Sequence, residues 1–350
     1  MLFSTSALLA LLPAAGFALP TQFDAKVKTT GSTHIKFAIS QDFADPSLLQ
    51  DGSQWYAFAS NNHKTLGNPA ASGSDRLINV QVARSPDFNS WTVTGSDALP
   101  VVGAWADPNA GSQGAAVWAP SVIQNANGQF VLHYSAAVRG DTSKHCIGAA
   151  TANNPAGPYT PRATPLACPL DQGGAIDSSA FKDVDGTYYV TYKVDGNSIG
   201  HGGSCGNTVA PIAPTPIMLR KLASDALTPV GGPIEMIDRS QLDGPLVEAP
   251  SLVRTSSGKY VLFFSSNCFA SSNYDVTYAF ADRITGPYVK RGPMLMTGTD
   301  NLYSPGGADV AADGVHVAFH AGNVGPNNAN WRSMYTMSIT IDDVRQVVSS

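Results

Sequence analysis

Three carboxylic acids stand at corresponding places in a short phrase that recurs along this chain of 350 residues. Asp45 and Asp177 open two copies of the phrase, and Glu248 lies one residue ahead of the same column in another copy. If folding brings the three side chains together, repulsion between their charges keeps at least one carboxyl protonated near neutral pH. A protonated carboxyl beside an ionised one is what general acid and base chemistry requires.

Two carboxyls on either side of a glycosidic bond are enough to hydrolyse it. One protonates the leaving oxygen, the other activates a water or attacks the sugar, and a third can orient the acid and raise its pKa. A lone Asp in a loop more often caps a turn or holds a structural cation, but three acids at equivalent positions favour a catalytic site. We expect the acids outside the column to be solvated or turn-forming: Asp107, Asp171, Asp243 and Asp300.

The phrase itself occurs five times, and its copies indicate the architecture. Each copy ends at a glycine and is followed by an aromatic or β-branched run, which is the pattern of a strand, a tight turn and a second strand. The glycines are 56 to 76 residues apart, a spacing that suits a blade of four strands. They are Gly52, Gly128, Gly186, Gly258 and Gly314. The sequence therefore predicts an all-β fold, a five-bladed β-propeller with four antiparallel strands per blade. The alternative, a β-sandwich, gives no reason for the repetition.

This topology places the chemistry on one face. In an antiparallel meander, the start of the innermost strand shares a face with the loop between the second and third strands. Five side chains are therefore predicted to surround the central axis: Asp45, Trp118, Asp177, Glu248 and Ser304. Long polar loops crowd the same face, which places the functional site there: residues 60–76, 99–118, 139–146, 195–216, 267–275 and 322–332.

The four cysteines suggest two disulfides. Cys205 and Cys268 fall in equivalent loops of neighbouring blades, so we expect them to pair, which leaves Cys146 with Cys168. Residues 1–18 have the pattern of a secretory signal, with an apolar run and a small-x-small cleavage site, so we expect a secreted protein with one catalytic domain over residues 19–350. No later stretch is apolar enough to cross a membrane.

Composition narrows the possible partners. Charged residues make up only 13% of the chain, and the net charge is −5, so there is no basic surface for nucleic acid or an anionic membrane. We expect a monomer that binds a polysaccharide or oligosaccharide and requires no cofactor.

The blade-opening motifs resemble those of glycoside hydrolase family 43, and the resemblance covers essentially the whole mature chain. The motifs are Phe43-Ala-Asp45-Pro-Ser, Trp118-Ala-Pro-Ser, Ala175-Ile-Asp177-Ser-Ser and Glu248-Ala-Pro-Ser. Members of that family are five-bladed propellers that hydrolyse arabinose- or xylose-containing polysaccharides with inversion. The resemblance implies that Asp45 is the general base, Asp177 the residue that modulates the pKa of the acid and orients it, and Glu248 the general acid.

One departure from the family pattern bears on the substrate and on metal binding. Many members carry a Gly-His motif in the last blade, whose histidine helps to hold a central ion, whereas this chain has Ser304-Pro-Gly-Gly-Ala308. A structural cation in the channel, near His320, remains an alternative without a specific metal. The departure favours an exo-acting α-L-arabinofuranosidase over an endo-1,5-α-L-arabinanase, and a β-xylosidase is a further alternative. The alternatives outside this family are a non-catalytic carbohydrate-binding propeller and a retaining fructosidase, whose motifs fit poorly.

Five further residues are candidates for substrate binding. His320 and Arg332 resemble the family's last-blade His and Arg, and so are expected to contact sugar or the acids; the alternatives are a core histidine and a surface ion pair. Trp105 and Trp118 could stack on a sugar face, although Trp118 suits packing between blades equally well. Phe43 is either a pocket wall or a residue that anchors the first strand.

Overall fold

The recurring phrase forms the two innermost strands of each of five four-stranded sheets in the computed structural model of the chain. The structure describes residues 34–61, 77–110, 115–322 and 332–350. All of these belong to one compact unit, Ser32–Ser350. The sheets confirm the predicted all-β, five-bladed propeller with four antiparallel strands per blade. The expected signal segment, residues 1–18, lies outside the described residues.

The strands follow one another blade by blade, after β1 (Lys36–Ile39). The first blade contains β2 (Ser47–Asp51), β3 (Gln54–Ala59), β4 (Gln81–Ser85) and β5 (Thr92–Asp97). The second contains β6 (Trp118–Gln124), β7 (Phe130–Val138), β8 (Asp141–Ala152) and β9 (Thr160–Pro161). The third contains β10 (Ala175–Lys182), β11 (Tyr188–Val194), β12 (Ile217–Leu222) and β13 (Pro229–Ile237).

The fourth blade contains β14 (Val247–Arg254), β15 (Tyr260–Ser266), β16 (Thr277–Ala281) and β17 (Val289–Lys290). The fifth takes β18 (Tyr303–Val310), β19 (His316–Gly322) and β20 (Arg332–Ser338) from the end of the chain. A two-stranded ribbon follows, made of β21 (Thr340–Asp342) and β22 (Val347–Ser349). The helical segments of the described part are all short 3₁₀ turns: Leu170–Gln172, Gly196–Ile199, Ser204–Gly206, Gln241–Asp243 and Thr299–Asn301. None of the described residues forms a helix long and apolar enough to cross a membrane.

The hydrophobic core is divided among the junctions between blades. Each of the five buried clusters combines side chains of two neighbouring blades, for example Phe58 of the first with Leu132 of the second. Strands such as β15 are therefore buried along their whole length, because both faces of a blade pack against another sheet. This explains why the inner strands read as continuous apolar or aromatic runs rather than as alternating ones.

The fifth blade is closed by the other end of the chain. Strand β1 pairs antiparallel with β20, so that Lys36 lies opposite Thr336 and Phe37 opposite Tyr335. The amide of Phe43 then donates to the Arg332 carbonyl at 2.8 Å. The sequence predicted five meanders but did not reveal that the outermost strand of the last one precedes the first blade.

The register of the fifth blade corrects one expected position. Gly306 pairs with His320 as Glu248 pairs with Ser265, so Gly306 and Gly307 hold the places that were expected near Ser304. Ser304 lies earlier on the strand, and its hydroxyl donates to the carbonyls of Phe269 and Ser271. Ser304 therefore does not belong to the ring around the axis.

Two disulfides connect the expected cysteines. Cys146 in β8 is bonded to Cys168, which lies ahead of the third blade. Cys205 and Cys268 join the loops that follow the second strands of the third and fourth blades. The second bridge fixes the long loop of residues 195–216 to its neighbour, on the face that carries the acids.

Candidate active site

Each blade turns its backbone sharply at the column position of the repeat. The five residues there have left-handed φ angles between 42° and 59°: Asp45, Ala119, Asp177, Ala249 and Gly307. This conformation costs about 1 kcal/mol or more for a residue with a Cβ, so the surrounding structure must hold it. The turn brings side chains of all five blades around one axis.

A hydrogen bond from the neighbouring blade holds each turn. At four junctions the amide of the column residue donates to a side chain at the end of the preceding blade's second strand. The acceptors are the hydroxyls of Ser60, Ser135 and Ser265 and Nδ1 of His320, at 2.9–3.0 Å. We call these contacts the junction hydrogen bonds. The fifth junction differs, because the corresponding place in β11 is occupied by Lys193, whose ammonium group cannot accept a hydrogen bond.

Asp45 is surrounded by donors that favour its ionised form. Arg332 Nη1 lies 3.2 Å from Oδ1, and the Ser60 hydroxyl donates to Oδ2 at 2.6 Å. Burial alone would raise the pKa of Asp45, but the Arg332 guanidinium and the Ser60 hydrogen bond lower it below its usual range. Asp45 is therefore a carboxylate near neutral pH, the state that a general base needs.

Both oxygens of Glu248 are engaged. The Tyr274 hydroxyl donates to Oε1 at 2.9 Å, and Lys193 Nζ lies 3.1 Å from Oε2. The side chain of Tyr274 has room only because residue 306 is glycine, since a Cβ there would lie 1.9 Å from Tyr274 Cε1. Glu248 is thus held in one orientation by two donors, Lys193 in strand β11 and Tyr274 in the loop between β15 and β16.

Asp177 has the opposite electrostatic environment to Asp45. Burial, together with the nearby charge of Glu248, raises its pKa well above the usual range for an aspartate. Its Oδ2 accepts the amide hydrogen of Ala249 at 3.0 Å, and so replaces the acceptor missing at the fifth junction. The charges of Glu248 and Asp45 both act on Asp177, and Asp45 and Asp177 have pKa values pushed in opposite directions.

A narrow cavity continues from the acids along the axis. Its volume is about 30 Å³, enough for a water molecule, and equivalent residues of all five blades line it. In the next layer, four blades supply serine and the fifth supplies Asp309, which accepts from the Leu48 amide and the Ser251 hydroxyl. Burial raises the pKa of Asp309 to about 6.

His320 does not have the form of a metal ligand. Its Nδ1 accepts the amide hydrogen of Asp45 at 3.0 Å, and burial lowers its pKa to about 3, so the ring is neutral. The single ring proton must then sit on Nε2, which has no partner among the described residues. A ring nitrogen that carries a proton has no lone pair free for a metal ion, so these residues do not fit a cation bound at His320. The residues that the structure describes contain no cluster of three or more potential metal ligands.

The expected aromatic residues fall into two groups. The Trp118 ring is partly exposed and stacks on His145, with 3.8 Å between ring centroids, so one face of the indole is occupied. Phe43 is fully buried in the cluster between the fifth and first blades. Trp105 is half-buried and packs on Tyr134 beside the cluster between the first two blades. The structure thus corrects the expectation for Phe43, whose ring fills a gap between sheets in the core, whereas substrate binding by Trp105 stays a prediction.

The acids outside the column form turns or face solvent. Asp107 accepts the amide hydrogen of Asn109, whereas Asp171 and Asp300 are exposed in 3₁₀ turns. Asp243 caps such a turn but is buried, and it forms an ion pair with Lys290 at 2.6 Å. Asp243 is therefore turn-forming, as expected, but not solvated.

The site contains residues that sequence reasoning missed. Lys193 stands where the other second strands end in Ser60, Ser135, Ser265 and His320, and the lysine among these polar residues was the available signal. Tyr274 lies in the irregular loop between the second and third strands of the fourth blade, outside the repeated phrase, so the repeat gave no indication of it. The segments 62–76 and 323–331, which belong to two of the expected loops, lie outside the described residues.

Comparison with known proteins agrees with this geometry. The family model described as "Glycosyl hydrolases family 43" matches residues 37–343. The chain is 26% identical over 310 residues to the "Extracellular endo-alpha-(1->5)-L-arabinanase 1" of Bacillus subtilis (strain 168), covering 83% of this chain and 85% of that protein. It is also similar to the crystal structure of a thermostable family-43 glycoside hydrolase, with a TM-score of 0.68, 25% identity and coverage of 88% of this chain and 92% of that one.

A further solved structure shares the fold. It is an exo-1,5-α-L-arabinanase from a bovine ruminal metagenomic library, with a TM-score of 0.61, 22% identity and coverage of 90% of this chain and 98% of that one. The family model spans the described propeller from β1 to the final ribbon. The chain therefore belongs to glycosyl hydrolases family 43 and is an inverting glycoside hydrolase.

Proposed function

We propose that this enzyme hydrolyses α-1,5-linked L-arabinan, with Asp45 as general base, Glu248 as general acid and Asp177 as the residue that modulates and orients the acid. The observation that carries the assignment of roles is the contrast between Asp45 and Asp177. Contacts with Arg332 and Ser60 lower the pKa of one carboxyl, while burial and Glu248 raise the pKa of the other. Carboxyls whose pKa values are shifted in opposite directions can divide the roles of base and proton carrier between them.

The roles follow from what each group can do at neutral pH. Asp45 is ionised and accepts a proton from the attacking water. The raised pKa of Asp177 keeps a proton within the Asp177–Glu248 pair, from which Glu248 protonates the leaving oxygen. Inversion requires space for a water between base and sugar, so we expect the Asp45 and Glu248 carboxyls to lie roughly 6.5–9.5 Å apart in a crystal structure. A separation near 5 Å would instead indicate a retaining mechanism.

The substrate is inferred from the comparison and from the last blade. The relative from Bacillus subtilis is named as an endo-arabinanase, which supports arabinan as the polymer. Exo-acting α-L-arabinofuranosidase activity is the second candidate, favoured by Ser304-Pro-Gly-Gly-Ala308 in place of the Gly-His motif. In the structure, the space beside Gly307 is taken by His320, whose ring atoms would lie 2.5–2.6 Å from an added Cβ.

A substrate screen with product sizing tests this proposal. The purified enzyme is incubated with debranched arabinan, arabinoxylan, xylan and aryl pentosides, and products are separated by chain length. Hydrolysis of debranched arabinan is expected; oligosaccharides of mixed length indicate internal cleavage, and arabinose alone indicates attack at chain ends. Activity confined to xylan or xylosides would overturn the choice of arabinan. Asp45→Asn serves as the inactive control.

The same screen separates an enzyme from a binding module. A carbohydrate-binding propeller would retain polysaccharide without releasing any product. We further propose that the enzyme is secreted, which its two disulfides support. N-terminal sequencing of the exported protein is expected to begin at residue 19, and recovery of an uncleaved intracellular chain would contradict export.

A further inference from the structure

Lys193 is a buried cation placed among the acids. Its side chain is 1% exposed, and its ammonium lies 3.1 Å from Glu248 Oε2 and 3.2 Å from Asp195 Oδ1. Burying an ammonium costs several kcal/mol unless partners compensate. Although burial by itself lowers the pKa of Lys193, Glu248 and Asp195 together raise it above the usual lysine range. The side chain is therefore charged throughout the working pH range.

The place of Lys193 in the repeat shows what the lysine changes. At the equivalent place, Ser60, Ser135 and Ser265 accept the junction hydrogen bond of the next blade. Lys193 cannot accept one, so the amide of Ala249 donates to Asp177 Oδ2 instead. The lysine at this one position of the repeat thus gives Glu248 a cationic partner, and it also leaves the Ala249 amide to fix one oxygen of Asp177.

We propose that Lys193 is a positioning residue for the general acid: it fixes Glu248 through Oε2 and, by removing the junction acceptor, fixes Asp177 through Oδ2. This inference rests on the proposed roles of the two acids. In a protonated carboxyl the carbonyl oxygen is the stronger acceptor, so it faces the ammonium, which has donors only. The transferable proton of Glu248 is therefore carried by Oε1, on the side of Tyr274, whose hydroxyl can donate or accept.

The first test is kinetic. We expect Lys193→Met to lower kcat by about 10²-fold through misplacement of the acid, with little change in KM. The Lys193 charge lowers the pKa of Asp177, so its removal should hold the proton of the Asp177–Glu248 pair more tightly and move the basic limb of the kcat/KM pH profile up. Lys193→Arg, which keeps the charge, should leave the limb in place.

A matched control separates positioning from stability. Lys290 forms a comparable ion pair with Asp243 at 2.6 Å, but it lies in the outer strand β17. Lys290→Met is expected to lower the melting temperature without moving the pH profile. Because Lys193→Met leaves Asp195 unpaired, the double variant Lys193→Met/Asp195→Asn provides a folded alternative. If the basic limb stays in place in Lys193→Met and in the double variant, and only the melting temperature falls, the proposal is overturned.

A spectrum that needs no turnover keeps this test independent of the proposed function. The chain contains two glutamates, exposed Glu235 and buried Glu248, so labelling with [5-¹³C]glutamate gives two carboxyl signals. Because Lys193 fixes Oε2, we expect Lys193→Met to shift and broaden the Glu248 carboxyl signal at constant pH, while the Glu235 signal stays unchanged as the internal reference. An unchanged Glu248 signal refutes the role of Lys193. If the wild-type enzyme cleaves no glycoside, the proposed function fails, whatever this signal shows.

Discussion

Replacing Glu248 by glutamine is the sharpest test of the general acid. The surroundings can accommodate the amide, because its carbonyl can accept from Lys193 and its NH₂ group can donate to the Tyr274 hydroxyl, which also accepts. We therefore expect the variant to fold with the side chain in place. What it loses is the proton that the leaving oxygen requires.

The size of the effect depends on the leaving group. A positioned general acid contributes about 10²–10⁴-fold to the rate, which corresponds to about 3–5 kcal/mol of activation free energy. Cleavage between two sugars requires that whole contribution, because the departing alkoxide is strongly basic. A 4-nitrophenolate departs without much assistance, so Glu248→Gln should cost about 10-fold or less with that leaving group.

The assay compares two substrates that differ only at the leaving group. Values of kcat/KM are measured for linear arabino-oligosaccharides and for their 4-nitrophenyl glycosides, across pH. On the aryl glycosides the variant should lose no more than about 10-fold in rate, and it should lose the basic limb of the pH profile. Asp45→Asn is the matched control, since activation of water is needed with either leaving group and both rates should fall together.

One outcome would refute the reasoning. If Glu248→Gln reduces the rates on both substrates by the same factor, the side chain does not protonate the leaving oxygen. The role of acid would then pass to Asp177, the other member of the pair that holds a proton. In that case the preference for aryl leaving groups should be found with Asp177→Asn.

Three other predictions concern the surroundings of the acids. Arg332→Met should raise the pKa of the proposed base and so move the acid limb of kcat/KM up by about 1 unit or more; a fixed limb would contradict the guanidinium's role. Burial raises the pKa of Asp309 to about 6, so this carboxyl stabilises the fold at low pH and loses that contribution as pH rises through 6. Asp309→Asn should therefore flatten the dependence of melting temperature on pH between 4 and 8, with a difference of at most about 3 kcal/mol, whereas parallel curves would count against it. Gly306→Ala should displace Tyr274, because an added Cβ would lie 1.9 Å from the ring, and lower kcat by about 10²-fold. Gly292→Ala, which meets nothing within 4 Å, should be neutral, and equal activity of the two glycine variants would exclude the displacement.

The repeated phrase predicted the fold because it encodes local structure. Strand, turn glycine and second strand lie within about ten residues, and five copies imply five similar units. The positions of Asp45, Asp177 and Glu248 followed from the same alignment. Where the phrase was degenerate, in Ser304-Pro-Gly-Gly-Ala308, the alignment slipped, and only the pairing of Gly306 with His320 corrected it.

The remaining features depend on contacts between distant segments. Nothing in the local pattern around β1 shows that it pairs with β20. Tyr274 reaches Glu248 from an irregular loop, and the room for its ring comes from a glycine in the next blade. Phe43 shows the converse limit, since an aromatic residue beside an active-site motif has the same local pattern whether it faces solvent or the core.

The pairing of β1 with β20 also has a consequence for biosynthesis. Asp45 emerges early from the ribosome, but the guanidinium that holds it belongs to a residue 287 positions later. A nascent chain that lacks β20 therefore has all three acids of the site but lacks the guanidinium that lowers the pKa of Asp45, the proposed base. Hydrolytic activity should therefore appear in a single late step, when β20 pairs with β1. In translation or split-fragment experiments, the time at which activity appears would then report when the ring closes.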